Sequence, residues 1–167
     1  MNDIPWSEND ELFIKELKEG HEWQFYTALF FKLHGLKVEI PKLTIRENIA
    51  EADKWKDSFD IIVEDVPLEN KSRNESFTFN GDFPYPTIIV DTVKGFDAKT
   101  IRPHGYTMIS KPTGIILWLP VSTYPKWTKE KIHDNTRNLD DEFYVCDPKY
   151  LQHIDTLLRF LKKKAKK

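Results

Sequence analysis

The stretch FDIIVEDVPLENKSRN, residues 59–74, decides how this chain can fold. Two short apolar runs flank the pair Glu64-Asp65, which can form the two-residue turn of a β-hairpin. With that turn, Asp60 lies directly opposite Glu69, and directly opposed side chains share one face of the sheet. Strand alternation adds Lys71 to that face. The opposite face, where a core belongs, receives the apolar side chains Phe59, Ile61, Val63, Val66 and Leu68.

The two opposed carboxylates predict a cation at this hairpin. Like charges on neighbouring strands repel, so a bound ion would stabilise the pair Asp60 and Glu69. Mg²⁺ binds through one or two carboxylates together with waters and phosphate oxygens. Lys71 beside it can orient an attacking water or offset the charge that builds on a phosphate. The set therefore favours phosphodiester hydrolysis, and the alternative is an ordinary surface hairpin with solvated charges.

The register carries this prediction, because the acidic-x-Lys tripeptide alone is uninformative. With 27 acidic residues and 20 lysines in 167, roughly three such tripeptides arise by chance. Four occur, beginning at Glu16, Glu69, Asp97 and Asp147. Only Glu69-Asn70-Lys71 lies on a predicted strand that has an acidic residue opposite it on the preceding apolar strand.

In these residues the chain resembles the restriction-endonuclease-like superfamily, the PD-(D/E)XK nucleases. Their pattern is a helix, a strand, and a hairpin with an acidic residue on its first strand and acidic-x-Lys on its second. Phe59-Asp60 and Glu69-Asn70-Lys71 match the two hairpin elements, and the helix before them offers Glu22. The resemblance spans about residues 20–73 and departs from the usual pattern at Asn70, where an apolar residue is common.

The resemblance implies a Mg²⁺-dependent nuclease, with Mn²⁺ as a possible substitute, acting on nucleic acid and most simply on DNA. Asp60, Glu69 and Glu22 would bind metal and take part in catalysis, together with Lys71. Beyond the hairpin, Arg73, Lys94 and Lys99 are candidates for contact with backbone phosphates. The alternative is a nuclease-fold module without catalysis that binds nucleic acid or a protein.

Bulk composition limits the remaining possibilities. The 167 residues, 40% of them hydrophobic, suit one domain, predicted over 1–161, followed by a basic tail over 162–167. The net charge of −2 excludes a protein that coats nucleic acid with a uniformly basic surface. One cysteine excludes an intramolecular disulfide, and the N-terminal sequence does not read as a signal peptide, so we expect a cytoplasmic protein with no membrane partner. A homodimer is left open, because cutting two strands takes two sites but no coiled-coil seam is evident.

The order of predicted elements indicates an α/β or α+β fold, a single domain with a central mixed sheet flanked by helices. Ser7 should cap a first helix, which Gly20 interrupts and Gly35 ends. LKVEIP and KLTIR are expected to form two strands or one bent strand. Further strands are expected in SFDIIVE, VPLENKSR, TIIVDTV, GIILWLPVS and EFYVC, with GIILWLPVS central. Residues 47–57 read as a polar connector, and residues 124–142 read as an irregular segment or a short helix. Asp147 and Pro148 should begin the last helix.

Overall fold

The predicted hairpin is present in the computed structural model, which describes residues 8–41, 59–135 and 138–167. Glu64 and Asp65 have φ values of 48° and 64°, as a tight turn between twisted strands requires. The strands pair through Val63 with Val66, Ile62 with Pro67 and Ile61 with Leu68. The register inferred from the sequence is therefore confirmed.

The other elements follow in chain order. Three α-helices occur in the described residues: α1 (Glu8–Leu33), α2 (Val93–Asp97) and α3 (Ile154–Ala165). The strands there are β1 (Val38–Glu39), β2 (Ile61–Val63), β3 (Val66–Arg73), β4 (Ile88–Thr92), β5 (Gly105–Ser110), β6 (Ile116–Pro120), β7 (Thr128–Asp134), β8 (Leu139–Cys146) and β9 (Gln152–His153). Short 3₁₀ turns cover Asn80–Asp82, Val121–Lys126 and Pro148–Tyr150.

The described strands form two sheets. The larger is mixed, with six strands in the order β1-β2-β3-β5-β6-β9, and the smaller has three in the order β4-β8-β7. In the larger sheet β3 and β5 are parallel, and the other neighbouring pairs are antiparallel. The predicted α+β class, one domain with a mixed central sheet and flanking helices, is confirmed.

Each face of the large sheet has its own core. On one face, α1 and α3 pack through Phe31 and Leu161 against Ile61, Leu68 and other apolar side chains of the sheet. The opposite face carries Tyr106 and Met108 of β5, which pack beneath the small sheet and α2. Because both faces are covered, β5 is buried at all six positions. A strand buried on both sides has no alternating pattern, which is why the sequence did not reveal β5.

Several sequence predictions need correction. Helix α1 continues through Gly20, since a glycine costs a helix only about 1 kcal/mol, which buried contacts further along α1 can offset. The predicted irregular segment over 124–142 contains β7 and the start of β8. Asp147 caps a 3₁₀ turn, and the last helix begins only at Ile154, with the His153 side chain as its cap. Strand β6 lies between β5 and the two-residue β9, near the sheet edge.

Some predictions fall outside the described residues. The Ser7 cap, the strand KLTIR and the polar connector over 47–57 all lie there. Of the predicted basic tail, residues 162–165 belong to α3. No helix in the described ranges has the length and apolarity needed to cross a membrane.

Replacing Asp65 by glycine is expected to stabilise the protein by about 0.5–1 kcal/mol, because a left-handed conformation is strained for a residue with a Cβ atom. Glu64→Gly should stabilise the protein less, since the Glu64 carboxylate accepts a hydrogen bond of 2.5 Å from the Lys37 backbone, and the variant loses that bond. Urea unfolding of both variants provides the measurement. A lower midpoint for Asp65→Gly than for the parent would contradict the argument.

Candidate functional site

Asp60, Glu69 and Lys71 lie together on one face of the β2–β3 hairpin. Asp60 immediately precedes β2, and its Oδ2 accepts a hydrogen bond of 2.8 Å from the backbone N–H of Asn70. Its main-chain carbonyl accepts another from the side chain of Gln24 on α1. These two contacts fix Asp60 against β3. The regular pairing of the two strands stops at Ile61 and Leu68 and does not include Asp60. The sequence predicted this juxtaposition correctly.

Glu69 is a buried carboxylate at the centre of the site. Its residue is only 6% exposed, and it pairs across the parallel strands with Tyr106. Burial and then repulsion from Asp60 raise the pKa of Glu69 to about 7, although Lys71 and Lys99 act to lower it. The Asp60 and Glu69 carboxylates therefore lie close enough to repel one another.

Lys99 supplies a cation to this buried carboxylate. Its Nζ lies 3.0 Å from Oε1 of Glu69, with 17% of the lysine side chain exposed. Burial alone would lower the pKa of Lys99, but attraction to Glu69, with smaller contributions from Asp91 and Asp60, raises it. Lys99 is therefore held as an ammonium ion, which neutralises Glu69.

Helix α2 places Lys99. Thr92 caps this short helix by accepting a hydrogen bond of 3.0 Å from the backbone of Gly95. Phe96 anchors it, being fully buried in the core beneath the small sheet. After the helix ends, the backbone N–H of Lys99 donates to the Phe96 carbonyl at 3.2 Å. The packing of Phe96 thus determines where the Lys99 side chain begins.

The polar groups around the site have partners. Thr107, buried on β5, donates its hydroxyl to Oδ1 of Asn70 at 2.7 Å, which accounts for a polar residue in the middle of the tripeptide. Tyr106 donates to Oδ2 of Asp91 at 2.9 Å. Burial, with Asp91 beside it, holds the pKa of Tyr106 far above its usual value, so this phenol stays neutral. Lys71 differs: it is half-buried, and no described residue forms a hydrogen bond or ion pair with its ammonium.

Glu22 is exposed on α1, two residues before Gln24, and its part in metal binding stays a prediction. Across the described ranges, no cluster of three or more His, Cys, Asp or Glu side chains is arranged to hold a metal ion. The site as it stands therefore offers two carboxylate ligands, from β3 and from the residue before β2.

The candidate phosphate contacts are separated by the fold. Lys94 is exposed on α2. Arg73, by contrast, turns its guanidinium inward and donates to the Ile89 carbonyl of β4, and its Nε is buried without a partner among the described residues. Burial lowers the pKa of Arg73, while Glu75 and Asp91 favour its charge. Lys99 lies within the site, and its contact with a phosphate stays a prediction.

Sequence reasoning gave no role at the site to Tyr106 or Asp91 and did not predict the Lys99–Glu69 pair. Lys99 closes the tripeptide Asp97-Ala98-Lys99, which counted as a chance match because no strand carries it. Tyr106 belongs to β5, which has no alternating pattern. Asp91 does end a strongly apolar strand, a position where polar side chains commonly serve sites, and that was the available signal.

The stability of the protein is expected to fall as pH rises from about 4.5 to about 7 because of Glu69. With its pKa raised in the folded state, Glu69 holds its proton more tightly there than in the unfolded chain. The stabilisation that Glu69 contributes is therefore complete below its pKa in the unfolded chain. It is lost as the pH rises through its pKa in the folded protein, and the loss is on the order of 2–3 kcal/mol. Urea unfolding of the parent and Glu69→Gln across this range should show the variant gaining relative stability with pH. A stability difference between the parent and Glu69→Gln that does not change with pH would exclude a raised pKa of Glu69.

Comparison with known proteins adds no assignment to this geometry. No family model matches the sequence, and no curated protein is significantly similar to it. The function must therefore be argued from the chain's own residues.

Proposed function

We propose that this protein is a metal-dependent nuclease that hydrolyses phosphodiester bonds, most simply a DNA endonuclease acting in the cytoplasm. The observation that carries the proposal is the placement of Asp60, Glu69 and Lys71 on one face of a hairpin with fixed register. Acid, acid and lysine in this arrangement suit phosphodiester hydrolysis assisted by a metal ion.

The order of elements supports the proposal. Helix α1 is followed by β1, which pairs with β2, and then by the hairpin that carries the acidic residues. This is the helix, strand and hairpin order expected from the resemblance to the PD-(D/E)XK nucleases. The resemblance remains a proposal, since it rests on these elements and three side chains.

The donor set suits a hard divalent cation such as Mg²⁺, or Mn²⁺ in its place. Asp60 and Glu69 provide carboxylate oxygens, and Mg²⁺ commonly takes only one or two of these and completes its shell with water and phosphate oxygens. When bound, the ion polarises the phosphate and lowers the pKa of a bound water. The buried carboxylate of Glu69 and the half-buried carboxylate of Asp60 repel one another, so both gain stability from any added positive charge.

Lys71 performs the remaining chemistry. Its ammonium has no partner among the described residues, so its hydrogen-bond donors are available to substrate. It orients the attacking water or stabilises the negative charge that develops on the phosphate in the transition state. Lys94, which is exposed on α2, would hold a neighbouring backbone phosphate. We assign Glu22 no part, because no group of three or more acidic, His or Cys side chains suited to a metal ion occurs among the described residues.

A binding module without catalysis is the second candidate. Lys99 already neutralises Glu69, and an inactive site could retain that ion pair for stability. Helix α1 also exposes Phe25, Leu29 and Leu33, which are 61%, 57% and 77% exposed and spaced four residues apart along one face. An exposed apolar stripe of this kind is typical of a protein-binding surface.

The test is a panel of labelled duplex, single-stranded and branched DNA and of RNA, incubated with Mg²⁺, Mn²⁺ or a chelator. The nuclease proposal expects cleavage of at least one substrate with metal, lost in Asp60→Ala and in Lys71→Ala. Binding in a gel shift without cleavage under any metal would favour the inactive module. Cleavage that persists in both Asp60→Ala and Lys71→Ala would contradict the assignment of these residues to the active site.

A further inference from the structure

Lys99 is the only cation that contacts either carboxylate of the site within the described residues. The ammonium sits 3.0 Å from Glu69, and Asp91 and Asp60 also attract it electrostatically. Three acidic side chains, from β3, from β4 and from the residue before β2, thus attract the ammonium of Lys99. A divalent ion that binds Oε1 of Glu69 must enter this same space.

An ammonium and a divalent ion that bind the same carboxylate oxygen repel one another at close range. If Lys99 stayed in place, the incoming ion would meet a like charge across a partly buried gap, where charges are poorly screened. If Lys99 leaves, its ammonium regains water and the ion takes over the neutralisation of Glu69. Departure of the lysine is therefore the route of lower energy.

The side chain of Lys99 can leave without disturbing the fold. Within the described residues its only side-chain hydrogen bond is the one to Glu69. Its backbone is held independently, by the bond to the Phe96 carbonyl after α2. The flexible four-carbon stem of a lysine allows the ammonium to swing to solvent while that backbone stays in position.

We propose that Lys99 occupies the cation position at Glu69 in the metal-free protein and that a hard divalent cation, Mg²⁺ or Mn²⁺, binds by displacing it. The inference rests on the proposed function, because it needs Asp60 and Glu69 to be metal ligands. It assigns to Lys99 a regulatory role: the lysine keeps the two carboxylates stable without metal and sets the metal concentration at which the site fills.

Titration with Mn²⁺ followed by paramagnetic resonance of the free ion tests the affinity. Without its competitor in Lys99→Met, the dissociation constant should fall about tenfold or more, which corresponds to about 1.4 kcal/mol. The titration is run at about pH 8.5, so that protons compete little for Glu69. Lys126→Met, an exposed lysine remote in sequence, should stay within about twofold. Lys71→Met removes a nearby charge that is not paired with Glu69, and it should change the affinity less than Lys99→Met.

The outcomes of this titration separate the two proposals. Unchanged or weaker binding in Lys99→Met, or a gain no larger than in Lys71→Met, would overturn the displacement and leave the metal site standing. No Mn²⁺ binding by the parent or by any variant would overturn both proposals together.

A second experiment uses the unaltered protein, in case Lys99→Met folds poorly. Brief acetylation followed by peptide mass spectrometry measures the reactivity of each lysine. Saturating Mn²⁺ should raise the reactivity of Lys99 by about threefold or more, since a displaced ammonium enters solvent, while Lys126 stays constant as the internal reference. Protection of Lys99 that persists at metal saturation would overturn the proposal.

Discussion

Lys71→Met is expected to lower the rate of phosphodiester cleavage by about 10²–10⁴-fold with little change in stability. The ammonium has no hydrogen-bond or ion-pair partner among the described residues, so its removal leaves no buried polar group without a partner. Methionine keeps the apolar stem, and the free energy of unfolding should change by no more than about 0.5 kcal/mol. Single-turnover cleavage and urea unfolding of the same preparation provide the two readouts.

Lys37→Met is the matched control, since the Lys37 ammonium forms an exposed ion pair of 3.8 Å with Asp65 beside the turn and no other ion pair with a described residue. It should cleave at the parental rate. Activity lost in Lys71→Met together with stability would point to a structural role for Lys71. Activity retained above about one tenth would remove Lys71 from the chemistry.

Asp60→Asn separates metal binding from hairpin structure. The amide oxygen of asparagine can still accept the hydrogen bond from the backbone of Asn70, so the strands should remain paired. Loss of the charge should weaken Mn²⁺ binding by about tenfold or more and reduce cleavage accordingly. Unaltered Mn²⁺ affinity in Asp60→Asn would exclude Asp60 as a ligand.

The hairpin could be predicted from sequence because its geometry is local. A two-residue turn at Glu64-Asp65 fixes every pair that follows, and the apolar alternation admits one register only. The same residues therefore gave the strands, their core face and the polar set Asp60, Glu69 and Lys71. No contact from a distant part of the chain was needed.

The remainder of the site depends on contacts between distant segments. Lys99 reaches Glu69 only because β4 and α2 pack over the large sheet, with Phe96 filling the core between them. No local pattern in the sequence near Lys99 indicates that packing. Glu22 lies on α1, as helical periodicity predicted, and its part in metal binding stays a prediction.

The loss of stability should be largest for a residue that holds these distant segments together, and Phe96 is such a residue. Its ring centroid lies 5.0 Å from that of Tyr124 and 5.3 Å from those of Trp127 and Tyr144. The guanidinium of Arg102 lies 4.7 Å from the same ring, in cation–π geometry. Phe96→Ala is expected to cost about 3–5 kcal/mol, from lost burial and the cavity left among these rings.

The measurement is urea unfolding, supported by thermal melting, where the loss corresponds to roughly 10 °C for a chain of this size. Phe79→Ala is the matched control, because Phe79 is 55% exposed and should change the stability by only about 0.5 kcal/mol. Phe96→Leu, which keeps most of the volume, should lose less than the alanine variant. A loss for Phe96→Ala no greater than for Phe79→Ala would show that α2 is not anchored through this ring.

The same substitution links the core to the site. Since the buried Phe96 ring anchors α2, just before Lys99, Phe96→Ala should also loosen the Lys99–Glu69 pair at temperatures where the variant is still folded. Acetylation of Lys99 without metal should then be faster than in the parent, whereas Phe79→Ala should leave it unchanged. Equal protection of Lys99 in folded Phe96→Ala would mean that the ion pair positions α2, and not the reverse.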